Sequence, residues 1–144
     1  MVWTYHPLGT LPTIGTILWC RFPMGGNPNI PGGEHHPALV LGRKIDIENR
    51  RGGLIVAYGT SSTKDATRGN LDLIISKAEH ASHGLTKPTR FDLADVNKLE
   101  LPWCEEFFST PRSQSKIVMG KLSQDSMSRL KATLAWRKAN NRKD

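Results

Sequence analysis

Two apolar runs separated by a polar turn constrain this chain more than any other feature. The first run is residues 37–47 ("PALVLGRKIDI") and the second residues 54–59 ("LIVAYG"), with "ENRRGG" (48–53) between them. Strand-forming residues on both sides of a short turn that ends in a glycine pair predict an antiparallel hairpin. Further short runs follow the same plan: residues 15–22 ("GTILWCRF"), 71–76 ("LDLIIS"), "FDL", "KLELPW" and 116–122 ("KIVMGKL"). Short strands joined by Gly/Pro turns favour a small, curled antiparallel barrel over a parallel α/β sheet. At 144 residues the chain has the size of a single domain, 1–144, able to bury a core without staples.

The two ends differ from the middle. Residues 1–14, with Pro7, Gly9 and Pro12, predict an irregular arm. The tail predicts a helix over residues 123–139, with Ser123 as N-cap and Asp125 in the first turn. Met127, Leu130 and Leu134 recur at helical spacing and should form its buried stripe. Arg137, Lys138, Arg142 and Lys143 suit the negative pole at its end.

The formal net charge is +7, which favours polyanionic partners, nucleic acid first among them. Two cysteines, Cys20 and Cys104, lie far apart and in no Cys-x-x-Cys pair, so they read as reduced thiols and not as a zinc site. The first residues have no basic segment leading into an apolar run, and no stretch reaches membrane-spanning length. A cytoplasmic protein with no membrane contact and no cofactor is the expectation.

The chemistry concentrates around "GGEHHPALVLG" (32–42). It follows a loop rich in glycine and proline, whose length marks it as a functional candidate. His35 and His36 are adjacent, so in a strand they face opposite ways. A solvated loop histidine is the plain alternative for each. With His80 and His83 they make no zinc spacing. Acid–base work is the chemical reading, because imidazole gives or takes a proton near neutrality. RNA carries its own nucleophile in the 2′-hydroxyl; its cleavage needs a proton acceptor, a proton donor and a cation near phosphate. "GTSSTK" (59–64) supplies Thr60, Ser61 and Ser62 as hydroxyl donors and Lys64 as charge. Its bland reading is a Ser/Thr-rich turn. If the hairpin forms, His36 at the start of one strand and Thr60 at the end of the next share one rim.

In these residues the chain resembles the PemK/MazF family of toxin endoribonucleases. The likeness rests on Gly15, Ile17, Leu18, Trp19 and Phe22, on Glu34, His36, Pro37, Ala38, Leu39, Val40 and Leu41, on Thr60 and Ser61, and on the closing helix. It is best over residues 15–62. The resemblance implies an SH3-like barrel, a homodimer, and metal-independent cleavage of single-stranded RNA by 2′-hydroxyl attack. It also implies neutralisation by an acidic antitoxin. Carried onto this sequence, it makes His36 and Thr60 the catalytic pair, with Glu34 orienting the histidine. His35, Arg21, Arg43, Ser61, Ser62 and Lys64 become RNA contacts. The family keeps an arginine where this chain has His36, and its threonine falls on Gly59 or Thr60. Arg21, Arg43 and Lys64 are the candidate replacements for that arginine's charge. The alternative is the same barrel without catalysis, a nucleic-acid- or protein-binding module such as a phage-encoded inhibitor or regulator. The fold also includes a gyrase poison that acts by protein contact.

Overall fold

β2 (His36–Asp46) and β3 (Arg51–Thr60) form the hairpin, paired antiparallel from Ala38–Tyr58 to Asp46–Arg51. The turn is tighter than the sequence suggests. It occupies residues 47–50, with Arg50 at φ 54, and the Asp46 carboxylate accepts from the Asn49 backbone and side-chain amides at 3.2 and 2.9 Å. The glycine pair therefore lies inside β3. A Cβ on Gly52 would sit 2.7 Å from Leu11 Cδ1, so the missing side chain makes room for the core. The computed structural model describes residues 2–23, 26–61 and 71–144.

Around the hairpin stand β1 (Thr16–Cys20), β4 (Leu73–Ile75), β5 (Thr89–Phe91), β6 (Lys98–Pro102) and β7 (Val118–Lys121), followed by the helix α1 (Gln124–Ala139). The sheet runs β4-β5-β3-β2-β1-β7, and β6 also pairs with β3. Every pairing is antiparallel. β3 bonds β6 along Gly53–Ala57 and then β5 at Gly59 and Thr60. That change of partner, with register shifts after Val40 and Ile17, bends the sheet, as bulges do. The result is a curled antiparallel half-barrel with one C-terminal helix.

Both faces are covered where β2 begins, which is why residues 38–41 read as an unbroken apolar run, whereas from Arg43 to Asp46 the strand is exposed. Leu18, Cys20, Ala38, Val40, Leu54 and Val56 pack on one side with Trp103, Phe107 and Phe108. Ile17, Leu39 and Ala57 pack on the other with Phe91, Leu93, Leu122 and Leu130. The N-terminal arm is irregular but anchored. Trp3 packs on Phe107 with ring centres 5.0 Å apart, and His6 N–H donates to the Trp103 carbonyl at 3.0 Å.

α1 starts where its N-cap predicts: Ser123 Oγ accepts from Ser126 N–H at 3.1 Å. Leu130 is buried, and Met127 and Leu134 pack against the same cluster. Truncation of Leu130 to alanine should cost roughly 2–5 kcal/mol in urea-induced unfolding; a loss well under 1 kcal/mol would show that the helix face does not depend on it. His83 is buried beside the cap. The Glu79 carbonyl accepts from its Nδ1 at 2.9 Å, so Nε2 is left to accept from Ser123 N–H at 3.2 Å. Arg137 lies in the last turn of α1, as expected, and is buried there: its guanidinium donates to the Leu71 and Asp144 carbonyls at 2.7 and 2.8 Å. Among the described residues no helix is long and apolar enough to cross a membrane.

Candidate functional site

Opposite residues of an antiparallel pair point to the same face. Carrying the β2–β3 register on from Ala38–Tyr58 sets His36 opposite Thr60. Thr60 pairs on its other side with Arg90 of β5. Three neighbouring strands thus place His36, Thr60 and Arg90 in one row on one face. Gly59 lies on the opposite face, and a Cβ there would sit 2.8 Å from both Phe91 Cε1 and the Pro37 carbonyl oxygen. Of the two positions that the family threonine could match, only Thr60 shares a face with His36.

The imidazole of His36 is 27% exposed. Its Nδ1 lies 3.3 Å from the Tyr58 hydroxyl, and the two rings are 5.0 Å apart. Burial, and then the charge of Glu34, push the Tyr58 phenol above its usual range, so at neutral pH it keeps its proton. With Nδ1–H donating to the phenol oxygen, neutral His36 keeps a free lone pair on Nε2, the form that a general base requires. Nε2 is 3.6 Å from Glu34 Oε2, beyond hydrogen-bond length but close enough for an ion pair with an imidazolium. Glu34 is 87% exposed, so water and salt weaken its hold. Tyr58 is the more sheltered contact. Its contact with His36 follows from the diagonal neighbourhood across the hairpin.

The other candidates are divided. His35 turns away from His36, and its Nε2 lies 2.9 Å from Ser109 Oγ. Burial, then the charges of Arg21 and His36, push its imidazole below the usual range, so it stays neutral. Arg21 ties down the Gly/Pro loop by donating from Nε to the Gly32 carbonyl at 2.6 Å. Arg43 is on β2 but on the order of 20 Å along the strand from His36, with Nη2 directed at the Leu11 carbonyl at 3.4 Å. The structure does not bring it to the rim. Ser61 is exposed just past β3, whereas Ser62 and Lys64 lie outside the described residues.

Arg90 was not singled out by its sequence context. Its Nη1 donates to Asp72 Oδ2 at 2.7 Å, and the Asp72 side chain is fully buried. The guanidinium in the row with His36 and Thr60 is therefore already matched by a carboxylate. Among the described residues, no three His, Cys, Asp or Glu side chains gather as metal ligands would. No protein-family model matches the chain, and no curated protein matches it either.

Proposed function

We propose that this chain is a PemK/MazF-like endoribonuclease that cuts single-stranded RNA without a metal, with His36 as its proton-transfer group. The observation that carries this reading is the placement of a part-exposed His36 opposite Thr60 at the open rim of β2 and β3. His36 takes the 2′-hydroxyl proton as that oxygen attacks the adjacent phosphorus. The P–O5′ bond breaks as the leaving O5′ takes a proton from a solvent water, and the His36 imidazolium returns its proton to solvent. The products are a 2′,3′-cyclic phosphate and a 5′-hydroxyl, so end-group analysis of cleaved RNA tests the route. Thr60 Oγ1 donates to a phosphate oxygen, and Arg21 supplies positive charge beside the histidine pair. A homodimer acting in the cytoplasm and held in check by an acidic antitoxin completes the family-like picture.

Phosphate contacts release counterions, so RNA affinity should fall steeply with salt. With about six phosphates held, the loss is on the order of 10³-fold between about 50 and 200 mM. Affinity that is insensitive to salt in a titration would point to a protein target. A second reading has its own support: the arginine of the row is occupied by Asp72, and the residue before Pro37 is histidine. The same barrel could then grip a polyanion without cutting it.

A further inference from the structure

Tyr58 faces two ways. Its hydroxyl meets His36, and its ring lines a neighbouring hollow of about 370 Å³. Phe22, Pro23, Val96 and Leu99 complete the apolar walls, and Asp92 and Asn97 provide the polar lining. Phe22 and Tyr58 are locked edge to face, with ring centres 5.0 Å apart at 73°. Val96 is 80% exposed and forms an uncovered apolar lip. The polar side is held just as firmly. Asp92 N–H donates to the Tyr58 carbonyl at 2.9 Å. Its two carboxylate oxygens accept from Ala94 N–H and Asn97 Nδ2, each at 2.9 Å. Each oxygen retains a second lone pair.

This volume is at the small end for ligand sites, suited to a nucleoside and not to a folded segment. Aromatic and aliphatic walls take a planar ring. A carboxylate repels phosphate, so the backbone of a bound strand does not run here; a base does. Among the bases, guanine presents N1–H and N2–H side by side, a two-donor fork that fits a carboxylate. Adenine and cytosine offer one exocyclic amino group. Uracil offers N3–H flanked by two carbonyl oxygens that the carboxylate repels. We infer that the hollow beside His36 is a nucleobase seat, selective for guanine through Asp92, and that Tyr58 couples it to the reactive edge. This rests on the nuclease reading for its place next to the scissile phosphate, although the base preference itself can be measured without cleavage.

The test uses the full chain and 2′-O-methyl hexamers, which cannot be cut. One strand is all uridine, and three others carry a single guanine, adenine or cytosine; binding is read by fluorescence anisotropy. The guanine strand should bind about tenfold more tightly than the all-uridine strand. Asp92→Asn should remove that preference. Val96→Trp, made at the exposed lip where folding is least at risk, should remove it as well by filling the hollow. Equal affinity for all four strands, no binding to any, or a guanine preference that survives in folded Val96→Trp would overturn the seat. A guanine preference in a protein that cuts no RNA would keep the seat and sink the nuclease. Cleavage without base preference would do the reverse.

Discussion

Replacing His36 with alanine should lower cleavage of single-stranded RNA by about 10²–10⁴-fold, the usual contribution of a general acid–base group. RNA affinity should change little, because the imidazole moves a proton and is not a fixed cation. Separate measurement of single-turnover rates and of binding to uncleavable strands distinguishes the two effects. A matched loss of rate and affinity would instead make His36 a binding residue. His36→Arg sharpens the test: in an enzyme that uses imidazole, it should impair cleavage or shift its pH dependence, and in a catalytically degenerate barrel it should awaken weak activity.

Asp72→Ala should destabilise the fold by roughly 3–5 kcal/mol, because it strands a largely buried charge. Asp72 holds Arg90 at 2.7 Å and accepts from Leu93 N–H at 3.0 Å. Arg90 is only 13% exposed, and its Nε has no hydrogen-bond partner among the described residues. Pairing the change with Arg90→Met should recover much of the loss, since an apolar pair can replace a buried ion pair. Urea unfolding of the single and double variants decides this. A loss under about 1 kcal/mol for Asp72→Ala would mean that water reaches the guanidinium and screens it.

Local patterns made much of this architecture legible. The hairpin follows from two apolar runs, and α1 follows from Ser123 and the spacing of Met127, Leu130 and Leu134. The misread turn has a tertiary cause. Asp46 and Arg50 closed the hairpin early, and Gly52 was kept for Leu11, a residue far away in sequence. Arg137 sits at the helix end where its charge suits the pole, but its burial against the Leu71 and Asp144 carbonyls depends on chain far from the helix in sequence or beyond its end. The candidate site was readable in part for the same reason. Hairpin register alone puts His36 and Thr60 on one rim. The Tyr58 contact, the Asp72–Arg90 pair and the hollow lined by Asp92 depend on β5 and β6 meeting β3, which no local pattern announces.

RNA cleavage through the 2′-hydroxyl at the His36–Thr60 rim is decided by one incubation. The most direct measurement incubates the folded wild-type chain with mixed-sequence single-stranded RNA in EDTA, alongside 2′-deoxy strands of the same sequences. Cut RNA ending in cyclic phosphate, beside intact deoxy strands, is the expected result. Cleavage of the deoxy strands, or no cleavage of any RNA, would contradict it.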